Sequence, residues 1–414
     1  MEWFQILSMS LQSILTIIIN PLFWAVILLI YTQYKKITRM EIELLGEEKA
    51  TAKERVFYSL GVGMLGGILG TVVMVVLGVT IEIKDFTLIL PLAILLMLIN
   101  VRYLCFSYAG GIIALTSLVF GFPDVNVSSI IAIVAVLHLV ESILIWIDGH
   151  KHPTPVFVEH DIYGTVGGFT LQRFWPIPFA VLLAIAGKLQ GATDISLPDW
   201  WPLFIADKLD LDNVTLQLSV VVAALGYGDI AITSSPKEKS RKSSMRLAIY
   251  SIVLLILSAI SSYIHTFKYI AALFALLAHE GLIIYSQKEE RNKRPIYKNQ
   301  IKGITVLDVK RGSIAEKIGL KPGYTIWKVN NYLMNDKEDL IYILRQFPTY
   351  LWIDVVDEKG NNMILEYTDY RNGVGALGAI IIPRKSDVVV NLNQNVSIIK
   401  NLFRKIIKRD KNDF

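Results

Sequence analysis

The sequence predicts a polytopic α-helical membrane bundle of about seven to nine spans, followed by a small α+β domain. Three observations lead there. The 414 residues are 53% hydrophobic and only 19% charged, with a mean hydropathy of +0.48, too apolar for an ordinary soluble chain. Apolar runs of roughly 20 residues, the length that crosses a bilayer core, recur through the first 290 residues. From about residue 295 the pattern changes to short alternating stretches.

Candidate spans are 11–31, 57–79, 86–101, 103–121, 127–147, 174–190, 215–232, 247–264 and 268–286. The first run follows Glu2 and lacks both a basic leader and a small-residue cleavage site, so it is expected to be retained. Loop charge orients the set, because cytoplasmic loops collect Lys and Arg. Segment 32–56 carries Lys35, Lys36, Arg39, Lys49, Lys53 and Arg55. Segment 233–246 carries Lys237, Lys239, Arg241, Lys242 and Arg246, and the residues after the last span carry Lys288, Arg291, Lys293 and Arg294. Segment 191–214 is acidic, with Asp194, Asp199, Asp207, Asp210 and Asp212. Nine spans put every basic segment in the cytoplasm and the N-terminus outside. Losing a neighbouring pair, such as the sixth and seventh, still leaves the C-terminus cytoplasmic.

Within the second span, "GVGMLGGILG" (61–70) pairs Gly63 with Gly67 and Gly66 with Gly70. Such small-xxx-small spacing lets a neighbouring backbone come close, either inside the chain or across a dimer. The lone cysteine, Cys105, excludes a disulfide framework and a cysteine-rich zinc site. The stretch 146–178 holds His150, His152 and His160 beside Glu159 and Asp161. Their spacing matches no compact metal site, and a structured cytoplasmic loop re-entering the interface through Phe174 and Trp175 is expected, since Trp favours that depth.

In the C-terminal part, 304–309, 325–330 and 351–356 alternate like short strands, and 336–347 reads as an amphipathic helix. The stretch "KRGSIAEKIGLKPGYTIWKVNN" (310–331) looks like the core of a bacterial PDZ domain, with Gly312, Ser313, Gly319, Leu320 and Gly323 at the motif positions. Ser313 can cap a helix starting near Ile314, Gly319 can end it in a left-handed conformation, and Pro322-Gly323 makes a tight turn. Tyr324 stands where that family usually has an acidic residue. PDZ domains bind an extended peptide as an added strand. By that resemblance "GVGALGAIIIP" (373–383) would supply the loop and strand, with Leu377, Gly378, Ala379 and Ile380 lining the groove. A purely structural last strand, or a loop near Gln300–Gly303, are the alternatives. The domains are thus 1–290 in the membrane, 295–385 PDZ-like, and a basic amphipathic tail, 386–414. In the tail Ile399, Leu402, Phe403 and Ile406 share a face, which suits an anionic lipid surface or packing on the domain.

His279-Glu280 sits inside an apolar run. A zinc protease needs a second histidine four residues on so that both imidazoles meet one metal, and Ile283 occupies that position. Asp229 is the one tempting distant ligand, and no Gly-x-Ser-x-Gly occurs in the spans. Catalytic, metal and cofactor sites are therefore not expected. Ionisable groups within spans still need partners. His138, Glu141, Asp229, His279 and Glu280 are expected to meet in a polar cluster that fixes helix register, with an ion path or a metal site as the other readings.

The multi-span half, the C-terminal PDZ-like domain and the loop "DGHKHPTPVFVEHDIYGTVGGFTLQRFWPIP" (148–178) together resemble the MinJ-type division-topology proteins of Gram-positive bacteria. The resemblance implies a non-enzymatic adaptor of the cell membrane, enriched at septum and poles. Its partners would be a DivIVA-like polar scaffold, a MinD-like inhibitor, other division proteins and membrane lipids, with homo-oligomers possible and no nucleic acid. An intramembrane-protease relative with a regulatory PDZ domain, and a transporter, are the other readings.

Overall fold

Proline and small polar caps decide where the first helices begin and end. Helix α1 (Glu2–Leu15) runs through a short 3-10 turn to Asn20, whose side chain accepts from the Leu22 amide at the start of α2 (Pro21–Leu45). Pro21 disfavours helical geometry at Asn20 and has no amide hydrogen to donate. The expected span 11–31 is accordingly not one straight helix: the pair bends by 70° at this break. A Thr51–Glu54 capping box opens α3 (Ala52–Leu77). The structure, a computed structural model, describes residues 2–46, 48–99, 103, 105–187, 198, 200–204 and 214–384. The acidic segment 191–214, apart from a few residues, and the tail 386–414 lie outside the described residues.

Strand β1 (Thr80–Ile81) leads to α4 (Ile83–Ile99), α5 (Phe106–Phe120) and α6 (Val127–Asp148). The next elements correct the sequence reading. Segment 146–178 is not an interfacial loop. It forms the end of α6, then β2 (Thr154–His160) and the start of β3 (Gly164–Ala186). Candidate spans 174–190 and 215–232 are not helices either. They fall on β3 and β4 (Val214–Ala231), which pair antiparallel from Phe169–Ala231 to Ala186–Val214. Window hydropathy reports how well a segment avoids water, and a strand buried on both faces is as apolar as a membrane helix.

A long strand among apolar helices must satisfy every backbone group internally. Opposite β4, β3 pairs with β2 up to Thr170 and with β1 again at Leu182. Between them its edge is closed without another strand. The Phe174 amide donates to Tyr34 Oη at 3.1 Å, and the Ala180 amide donates to Thr71 Oγ1 at 2.9 Å. The two intervening residues of the same orientation, Pro176 and Pro178, have no amide hydrogen to satisfy. Their carbonyls lie against α3, where a Cβ on Gly63 would come within 2.1 Å of Pro176 O and one on Gly67 within 1.9 Å of Pro178 O. Gly66 and Gly70 face Val140 of α6. Both small-residue pairs are thus used inside the chain, and the dimer reading of that face is set aside.

Helix α7 (Pro236–Ser261), opened by a Ser235–Glu238 capping box, and α8 (His265–Asn292) complete this half. Among the described residues four helices, Ala52–Leu77, Val127–Asp148, Pro236–Ser261 and His265–Asn292, are long and apolar enough to cross a membrane, or up to five if the bent first pair counts as one.

Strand β5 (Tyr297–Lys298) pairs with Val166 and Gly167 of β3. Beyond it come β6 (Ile304–Val309), α9 (Ile314–Lys317), β7 (Thr325–Val329), β8 (Tyr332–Leu333), α10 (Lys337–Leu344), β9 (Tyr350–Val356), β10 (Asn362–Thr368) and β11 (Ala379–Ile381). The expected strands and helix of this region are present. The sheet order is β10-β9-β7-β6-β11, with β8 on β7, and its core gathers Val306, Ile326, Leu340, Ile353, Leu377 and Ile381.

Candidate functional site: an edge strand and four buried polar groups

In the C-terminal domain the motif residues do what their chemistry allows. Ser313 Oγ accepts from the Glu316 amide at 3.3 Å and opens α9. Gly319 follows that helix at φ +80°, a left-handed conformation that costs glycine little. Leu320 is buried in the domain core, and Gly312 and Gly323 sit in the flanking turns. The 373–378 loop is stitched to the same turn. The Lys310 amide donates to Gly378 O and the Ala315 amide to Leu377 O, both at 2.8 Å. A Cβ on Gly378 would lie 2.3 Å from Ser313 Cβ.

Of the four expected groove residues, Leu377 is 3% exposed and belongs to the core. Ala379 and Ile380 lie on β11, the edge strand, beyond which the described residues place no further strand in this sheet. Ile380 also packs, with Leu307 and Ile382, toward Phe169 of the membrane half and toward Tyr297 on β5. Gly167 leaves room for that contact, since a Cβ there would meet Leu307 Cδ1 at 2.5 Å. Lys49 adds an ion pair to Asp308 at 2.5 Å. The domain therefore docks through β6 and the segment around β11, while α10 packs on the domain core.

Among the described residues of the membrane half, four groups of ionisable side chains stand out, three buried and the fourth, around Cys105, partly so. In the first, Arg55 Nη2 donates to both oxygens of Glu41, at 2.8 and 2.7 Å, and Thr154 Oγ1 donates to Glu41 Oε1. In the second, Asp148 Oδ2 accepts from Arg173 Nε and Trp175 Nε1, both at 2.8 Å. Trp175, expected at an interface, is fully buried instead. In the third, Lys239 Nζ donates to Glu290 Oε1 at 3.0 Å and to Ser286 Oγ at 2.8 Å, with Asp229 at 3.4 Å. Glu290 Oε2 in turn accepts from the Ile232 and Thr233 amides, tying the end of β4 to α8. In the fourth, His138 and His279 meet Cys105, and Tyr108 Oη donates to Glu280 Oε2.

The expected five-residue cluster is thus split. His138 and His279 come together, Glu280 joins through Tyr108, and Glu141 lies one turn along α6 from His138. Asp229 belongs with Lys239 and Glu290, so the one aspartate that could have served a protease pairs elsewhere. His150, His152 and His160 take no part in the Cys105 group. Sequence reasoning missed Glu41–Arg55, Asp148–Arg173 and Lys239–Glu290. By sequence Arg55 and Lys239 are loop charges, yet they are 2% and 1% exposed. The available signal was their position at the very start of a capped helix, where a charge can turn inward.

No known protein-family model matches the chain. It is similar to the cell division topological determinant MinJ of Bacillus subtilis (strain 168), with 22% identity over 247 residues. The match spans 59% of this chain and 59% of that protein.

Proposed function

We propose that this chain is a membrane-anchored adaptor in the placement of the cell-division site, working by binding rather than by chemistry. The observation that carries the reading is the similarity to a cell-division topological determinant, which covers 247 residues. The helical half anchors the chain, and the C-terminal domain acts as a PDZ-like module on the cytoplasmic side. It takes an extended peptide as a strand added to β11, beside the Gly378 turn. The partners are a DivIVA-like polar scaffold and a MinD-like inhibitor of septation. The split of His279 from Asp229 supports this reading over a protease.

The test is a fluorescent fusion of the full chain in its native cell, compared with one lacking residues 295–384. Enrichment of the full chain at septa and poles, with loss of at least one co-purified division protein on deletion, is expected. A uniform membrane signal from the full chain would overturn the assignment, and retention of every partner after deletion would remove the C-terminal domain from it.

A further inference from the structure

Cys105 caps the first turn of α5, and His138 and His279 lie midway along α6 and α8. Their donor atoms lie within 4.8 Å of one another. Cys105 Sγ is 3.0 Å from His138 Nε2 and 3.6 Å from His279 Nε2. We propose that these three side chains form a binding site for a thiophilic metal ion of the zinc class, which pins α5, α6 and α8 together.

Three features carry it. Zinc sits about 2.3 Å from thiolate sulfur and about 2.0–2.1 Å from imidazole nitrogen, so tetrahedral ligand atoms stand roughly 3.3–3.6 Å apart. The Cys105–His279 separation already matches, the Cys105–His138 one is about half an ångström short, and the imidazole nitrogens, within 4.8 Å of each other, would close toward the metal by side-chain rotation. The His138 tautomer is also set. Its Nδ1 lies 2.7 Å from Val134 O, and a carbonyl can only accept, so Nδ1 carries the proton and Nε2 turns its lone pair toward the sulfur. A backbone carbonyl on the far nitrogen is the usual way proteins orient a metal-binding imidazole. The sulfur is positioned as well, by the Ser107 amide at 3.4 Å.

A donor set of one sulfur and two imidazoles suits zinc or cuprous copper and not the hard cations, which take oxygen. Binding would replace the thiol proton, which leaves to solvent, while both imidazoles stay neutral. The single cysteine could not build a cysteine-rich site. It can complete this mixed one, because the histidines come from helices far away in the chain. Thiol–imidazole hydrogen bonding without a metal is the alternative the experiment must separate.

The probe is Co²⁺, titrated into chelator-stripped full-length protein in detergent. One equivalent should bring up a thiolate-to-cobalt charge-transfer absorption, which Zn²⁺ then bleaches. Cys105 is the only cysteine, so the band can arise nowhere else. His279→Gln should weaken Co²⁺ binding ten-fold or more, whereas His160→Gln should leave it unchanged. No charge-transfer band in the wild-type protein, or equal affinity in the two variants, overturns the site. Where His279→Gln does not fold, the wild-type titration decides alone.

Discussion

Strand β3 spans 23 residues, while no strand of the C-terminal sheet exceeds the seven of β9 and β10. The two sheets differ in how they meet the needs of the backbone. In the C-terminal domain, β9 alternates buried and open positions, so one face packs and the other meets water, which satisfies loose ends. In the membrane half the middle of β3 lies against α2 and α3. There the chain removes two amide hydrogens with Pro176 and Pro178, supplies Tyr34 and Thr71 for the other two, and clears the carbonyls with Gly63 and Gly67. A strand edge costs little where water reaches it and several kcal/mol per group where it does not.

The largest expected effect tests that contrast directly. Gly67→Ala would put a methyl 1.9 Å from a backbone oxygen, and a rigid strand-on-helix contact has no flexible atom to yield. We expect a loss on the order of 4 kcal/mol or more, the range of severe overpacking, read as failure to recover folded protein from membranes. Gly319→Ala, with open space around it but φ +80°, should cost only about 1–2 kcal/mol. Similar losses for both would break the comparison.

Charge gives the next step down. Arg55→Met leaves Glu41 buried without its cation, at a cost of about 3–5 kcal/mol. Lys49→Ala removes a partly exposed partner of Asp308 and should cost at most about 1 kcal/mol. Thermal unfolding of the two variants in detergent should rank them in that order, and a larger shift for Lys49→Ala would mean that the domain contact carries more of the stability than the buried pair.

A single hydroxyl sharpens the account of the strand edge. Thr71→Val keeps the shape of the side chain but strands the Ala180 amide, at about 1–3 kcal/mol. Hydrogen exchange at Ala180 should rise while that of β9 stays unchanged. An unaltered rate at Ala180 would show that the threonine hydroxyl is not what protects the edge.

Local signals were readable throughout. Ser313 marked a helix start, and the alternation at 304–309, 325–330 and 351–356 marked β6, β7 and β9. The site is only half legible: His138 and His279 stand out as ionisable groups in need of partners, but nothing local separates Asp229 from them or brings Cys105 to them. The hairpin was misread for a different reason. Apolar windows at 174–190 and 215–232 carry no helical period, and the two prolines spaced by one residue were the clue against a helix.

Sequence alone determined the Ser313 helix start, strands β6, β7 and β9 of the C-terminal sheet and the presence of helices apolar enough to cross a membrane, because each depends on side chains within a few positions or on composition. Tertiary structure alone decided that two apolar runs pair as strands, that the α3 glycines face strand carbonyls, and that Cys105 meets residues 33 and 174 positions away. Those outcomes depend on which surfaces finally pack together, and no local spacing encodes that.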